Sequence, residues 1–103
     1  MILLQASTKR EFHAAVSTVV DAITQNGGWV VSHNFYSNAL AMLSFMLPTK
    51  GFSVFEDTMV QAGIALHNPL PQLQKSEDEV SFQLSMSVLN DGPDVRRQVP
   101  AFG

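Results

Sequence analysis

His13, His33 and His67 are the side chains best suited by type to proton transfer or metal binding near neutral pH. Their spacing contains neither HxxxH nor HxH, the patterns that bring two imidazoles onto one face of a helix or strand, so no metal site is expected. His33 does stand in a polar cluster with Asn34 and Tyr36. A histidine acting as a general base needs an orienting partner and a substrate within hydrogen-bond reach. Strand alternation places His33 on the face opposite Asn34 and Tyr36, which argues against convergence of all three on one substrate.

The remaining chemistry-bearing residues are sparse. Thr49-Lys50-Gly51 precedes Ser53 at the start of a helical pattern, where backbone amides favour anions, but the order is not that of a phosphate-binding loop and Glu56 and Asp57 add negative charge to the first turn. Glu56 and Asp57 diverge on a helix, and Glu77, Asp78 and Glu79 fall in a connection, so neither set forms a tuned acid and base pair. Arg96-Arg97 could meet an acidic partner or simply be solvated. Serines are abundant without a Gly-x-Ser-x-Gly elbow or a Ser-x-x-Lys pair. There is no cysteine, which removes disulfides, thiolate metal sites and cysteine nucleophiles together. No cofactor is expected.

The elements that would position these residues must come from a chain of 103 residues, room for one domain that buries roughly 60 to 70 per cent of its unfolded surface. Hydrophobic residues make up 46% and charged residues 15%, a globular composition with low surface charge. A net charge of -3 opposes attraction to phosphate backbones, so no nucleic acid is expected as a partner. The short apolar start, Met1 to Gln5, lacks a basic region and a long apolar stretch, and no run approaches the length of a membrane-spanning helix. A soluble, cytoplasmic protein with no membrane partner is the expectation.

Residues 2–7 read as a strand. Thr8 and Glu11 have the spacing of a capping box, and Phe12, Val16, Val19, Val20 and Ile23 follow at helical spacing until Asn26-Gly27-Gly28. Residues 29–36 and 39–47 form a hairpin around Ser37-Asn38. An odd loop is preferred, because it gathers Trp29, Val31, His33 and Phe35 with Ala39, Ala41, Leu43, Phe45 and Leu47 on one apolar face. Ser53 and Glu56 predict a second capping box. The second helix carries Phe55, Met59, Ala62, Gly63 and Leu66 in one stripe and stops at Asn68-Pro69. Residues 69–79 read as an exposed connection. Val80, Phe82, Leu84, Met86 and Val88 then alternate with polar residues in the clearest strand of the chain, before the Asn90-Asp91-Gly92-Pro93 turn. One domain spans 1–94, and 95–103 is a tail or a short edge strand.

This βαββαβ order resembles the ferredoxin-like arrangement, an α+β sandwich of a four-stranded antiparallel sheet, commonly ordered 4-1-3-2, with two helices on one face. The open face would then collect Leu3, Gln5, Val30, Ser32, Asn34, Tyr36, Leu40, Met42, Ser44, Met46, Gln83, Ser85 and Ser87, polar but uncharged. Such a surface suits a subunit interface or a wet ligand pocket. The expected function is a non-enzymatic binding or interaction module, homodimeric through this face, with a small metabolite or a protein as a further partner. The ligand or interface residues are His33, Asn34, Tyr36, Met42, Gln83 and Ser85, with no catalytic residue assigned.

In element order the chain also resembles amino-acid-sensing ACT domains, although Ser7 to Phe12 replaces their glycine-bearing loop after the first strand. The alternative is a cofactor-free enzyme similar to the dimeric α+β barrels, with a pocket near His33 in which His33 with Trp29, or Tyr36 with Asn34, supplies the polar groups. Recognition of RNA by an RRM-like sheet is unsupported, because Ala39 to Leu47 has no basic-Gly-aromatic signature.

Overall fold

The strongest alternation in the chain forms the middle of its sheet. In the computed structural model, which describes residues 1–89, Phe82, Leu84 and Met86 point into the core from a strand with neighbours on both sides. The elements in chain order are β1 (Ile2–Thr8), α1 (Phe12–Gln25), β2 (Trp29–Ser37), β3 (Leu40–Pro48), α2 (Phe52–Gln61), β4 (Ile64–Leu66) and β5 (Glu79–Val88), with a single 3-10 turn, Thr49–Gly51, leading into α2. The expected strand or tail at 95–103 lies outside the described residues. Among the described residues, no helix is long and apolar enough to cross a membrane.

The fold is α+β, but the sheet differs from the four-stranded antiparallel expectation. It has five strands in the order β2-β3-β5-β1-β4, and β5 runs parallel to β1 while the other neighbours are antiparallel. The difference originates at Gly63. Its φ of +81° is one that glycine adopts without penalty and that ends a helix. Gly63 is therefore not a helix-interior residue, and α2 closes at Gln61 instead of running to Leu66. Thr8 holds the turn by donating to the Gly63 carbonyl at 2.9 Å, and Arg10 reaches the Ala62 carbonyl at 3.2 Å. Ile64, Ala65 and Leu66 are left to pair with β1, so the following connection carries the chain around the start of β1 and delivers β5 between β1 and β3.

That connection is exposed along most of its length, as expected, but is pinned at two places. Leu70 is buried and its amide donates to the Glu56 carboxylate at 3.2 Å. The buried Thr49 hydroxyl accepts from the Ser76 amide at 2.7 Å and lies within hydrogen-bond reach of the Gln74 and Ser76 carbonyls. Both helices pack on one face, where Phe12, Ala15, Val19, Ala22 and Ile23 of α1 and Phe52, Phe55 and Met59 of α2 meet Leu4, Ala6, Leu43, Phe45, Leu47, Phe82 and Leu84 of the sheet.

The caps are shifted from the expected ones. α1 is capped by Glu11, whose carboxylate accepts from the His13 amide at 2.9 Å and the Ala14 amide at 3.1 Å. Thr8 instead donates to Gly63, and α2 begins earlier than expected, after Gly51, which has no side chain to cap it, while Glu56 accepts from the Leu70 amide. At the other end of α1, Gly28 is required for space. A Cβ there would stand 2.1 Å from the Met46 carbonyl oxygen of the adjoining hairpin strand.

Hydrogen bonds from His13, then from Ala14, hold the Glu11 carboxyl below its ordinary value of 4.5. Its folded value is the lower one, so its stabilisation is complete above the unfolded value and disappears as pH falls through the folded one. Glu11→Gln is therefore expected to melt below the parent at pH 7, with the gap narrowing as the pH is lowered below 4.5, as thermal unfolding followed by circular dichroism will show. A gap that stays undiminished as the carboxyl is titrated to its protonated form would contradict the charge-assisted cap.

Candidate functional site

Alternation alone divides the sheet into two unlike faces. Along β3, Ala41, Leu43, Phe45 and Leu47 are buried beneath the helices, while Leu40, Met42, Ser44 and Met46 are half-buried on the other side. β5 repeats the pattern, with Phe82, Leu84 and Met86 inward and Ser81, Gln83, Ser85 and Ser87 outward. Strand register then assembles the outward residues into rows. Asn34, Met42, Ser85 and Gln5 form one row across β2, β3, β5 and β1, and Ser32, Ser44, Gln83 and Leu3 form the next. Trp29, Met46 and Ser81 make a third row towards the far end. These rows contain hydroxyls, amides, thioethers and an indole, without a carboxylate, ammonium or guanidinium.

The structure thus brings Asn34, Met42, Gln83 and Ser85 onto one surface, and separates His33 from them. His33 lies opposite Leu43 on the helix side of β2, its ring 4.9 Å from that of Phe35. Phe35 in turn meets Phe12 edge-on at 5.3 Å, and Phe12 meets His13 at 5.4 Å. Tyr36 is the extra residue of an irregularity between Phe35 and Ser37, and is exposed.

Two such irregularities shape β2 and correct the expected faces. Ser37 pairs with Leu40 across a two-residue loop, Asn38 and Ala39, and the bulge at Tyr36 restores the parity of an odd loop. His33 and Phe35 consequently share a face with Leu43 and Ala41, as the preferred hairpin required. A second bulge between Val30 and Ser32 reverses parity again. Val30 joins the helix side opposite Phe45, and Trp29 moves to the open face opposite Met46. Trp29 is therefore an open-face residue that simple alternation misassigns.

A second missed residue is His67. Ending α2 at Gln61 carries His67 past β4 to β1, where its Nε2 lies 2.8 Å from the Ser7 hydroxyl. The two line the approach to a small cleft of about 180 Å³ bordered by Gln5, Ala6, His67, Ser85 and Ser87. Reading Gly63 as a helix stop would have revealed this placement. Ser7 with His67 supplies a hydroxyl and a base, but this cleft's lining contains no carboxylate to orient the imidazole, the third part of an activated nucleophile. Among the described residues, no group of three or more histidine, aspartate or glutamate side chains is arranged to hold a metal ion.

A larger cleft, of about 440 Å³, lies between the β1–α1 turn, Asn38 and Val88. Lys9, Arg10, Glu11, Phe12 and His13 complete its lining. His13, not His33, is the histidine it contains. Its guanidinium is committed, since Arg10 donates to the Thr18 hydroxyl at 3.0 Å as well as to Ala62. The open face remains the broadest surface whose composition the fold does not explain. No protein-family model, curated protein or solved structure matches the chain.

Proposed function

We propose that this chain is a non-enzymatic interaction module that associates with a second copy of itself through the open face of its sheet. One observation carries the reading: the rows running from Asn34 to Gln5 and from Ser32 to Leu3 cross four strands without a charged side chain. A solvated sheet face ordinarily carries charge opposite its buried side, whereas this face shares with interface centres the depletion of charge and the presence of Met and Trp, and differs from them in its serines. The surface is self-compatible, because two copies brought face to face oppose no like charges.

Strand spacing and rise give the face a footprint of about 20 by 20 Å. That is small against the roughly 800 Å² of accessible surface per partner in a standard interface, so the face alone supports reversible association. Met42, Gln83 and Ser85 sit on the inner strands β3 and β5, and Asn34 and Trp29 lie at the margin on β2. The test is the mass of the full chain in solution by light scattering, together with its response to Met42→Lys. A mass of at least twice 11.3 kDa that falls on substitution is expected. A monomer at every concentration would defeat the reading.

A further inference from the structure

The two edges of this sheet are finished differently. On one side β1 is covered by β4, and beyond the end of β4 by Asn68. The Asn68 side chain donates to the Leu3 carbonyl at 2.9 Å and accepts from the Gln5 amide at 2.9 Å, continuing the ladder where the strand has stopped. On the other side β2 is outermost, with no strand beyond it among the described residues. Natural edges are ordinarily protected by lysine, proline, β-bulges or extreme shortness, and of these β2 has only its two bulges, which leave the run Ser32 to Phe35 regular. β2 is nine residues long, and residues 22–49 contain no Asp, Glu, Lys or Arg. Every residue of β2 except Val30 is exposed, with Trp29 at 50%, Val31 at 61%, Phe35 at 47% and Tyr36 at 63%.

The strand is also complementary to itself. Its regular run, Ser32 to Phe35, lies between the two bulges. Read in both directions from His33, the sequence meets a polar residue, Ser32 or Asn34, then an apolar one, Val31 or Phe35, then Val30 or Tyr36. We infer that β2 pairs antiparallel with β2 of a second copy about a two-fold axis at His33, joining two five-stranded sheets into one of ten strands. Ser32 then lies opposite Asn34 of the second copy within the regular run, and Val31, the extra residue of the first bulge, comes opposite Phe35, an aromatic and β-branched combination favoured across antiparallel strands. A foreign peptide could also add to the edge, but the symmetry of the strand about one residue selects a second copy.

This interface is separate from the open face. Its axis is perpendicular to the sheet and leaves both open faces on the same side, whereas face-to-face packing uses an axis within the sheet plane. Where the two axes intersect at a right angle they generate a closed assembly of four chains, with a mass about four times 11.3 kDa.

The absence of cysteine permits a direct test on the full chain. Directly opposed antiparallel residues have Cα atoms about 4.5–5.5 Å apart, within disulfide reach. His33→Cys is expected to give a disulfide-linked dimer under mild oxidation at least about tenfold faster than Ser37→Cys, which this register places opposite Trp29. Val31→Lys, on an exposed position that leaves the fold intact by circular dichroism, is expected to halve the mass. Equal crosslinking at both positions, or an unchanged mass for Val31→Lys, would overturn the inference. So would a monomer whose β2 amides exchange slowly, since the edge would then be covered within the chain. Rapid crosslinking through His33→Cys with no effect of Met42→Lys on mass would uphold the edge pairing and defeat the open-face reading instead.

Discussion

Truncating Phe82 to alanine is expected to lower the free energy of unfolding by about 3–5 kcal/mol. Phe82 is fully buried on the central strand. Its ring stacks on Phe45 of β3 with centroids 5.2 Å apart and meets Phe52 of α2 edge-on at 5.3 Å. Phe45 continues the cluster to Phe55 at 5.7 Å, so one ring ties β5 to β3 and both to α2. Alanine removes the ring's transfer free energy and leaves a cavity that three other aromatic rings cannot readily close. A domain of this size has about 5–15 kcal/mol in total, so the variant should unfold at a much lower urea concentration or be unfolded in buffer. Ser81→Ala, on the opposite face of the same strand, should stay within about 0.5 kcal/mol of the parent. Urea titration compares the two. A loss below about 1 kcal/mol for Phe82→Ala would mean that this cluster is not the core.

Met42→Lys is expected to raise the dissociation constant of the open-face interface at least about 100-fold, equivalent to roughly 3 kcal/mol. Met42 sits on the inner strand β3, between Asn34 and Ser85 in its row. An ammonium there would be buried against hydroxyls and amides with no carboxylate in the neighbouring rows, which is costly for an unpaired charge. In the isolated chain the residue is only half-buried, and a lysine can extend its head to water, so the melting temperature of the monomer should change little. Equilibrium sedimentation measures the association and thermal unfolding provides the control. If the variant associated as tightly as the parent, the second copy would have to bind elsewhere.

How far the residues alone announced this arrangement depended on local signals. Strict alternation from Val80 to Val88 marked β5 because one face of that strand is buried along its whole length. The helix-side stripe from Phe12 to Ile23 was legible for the same reason, with Gly27 and Gly28 closing it. The position of β5 was not legible. It follows from Gly63 adopting a positive φ, and the same glycine could equally have served close packing inside a longer helix. Tertiary hydrogen bonds also overrode local capping patterns: Thr8 turned to Gly63, and Glu56 turned to Leu70.

The candidate site was legible where strands are regular and obscure where they are not. Met42, Gln83 and Ser85 lie on regular stretches, and parity placed them together with Asn34. Trp29 lies beyond a bulge, which reverses parity and has no composition of its own in Val30-Val31-Ser32. His67 was hidden by the overextended helix. The edge position of β2 required the full strand order, because a hairpin does not reveal which of its two strands will find a further neighbour.

The central claim, that the uncharged open face receives a second copy of the chain, is tested most directly by light-scattering mass for the parent, Met42→Lys and Val54→Lys at up to about 100 µM. Val54 is exposed on α2, on the opposite side of the molecule from the open face, so its substitution adds the same charge outside the proposed interface. A parent mass of at least twice 11.3 kDa, halved by Met42→Lys and unchanged by Val54→Lys, is expected. A parent mass of 11.3 kDa throughout, or equal masses for the parent and Met42→Lys, would contradict the claim.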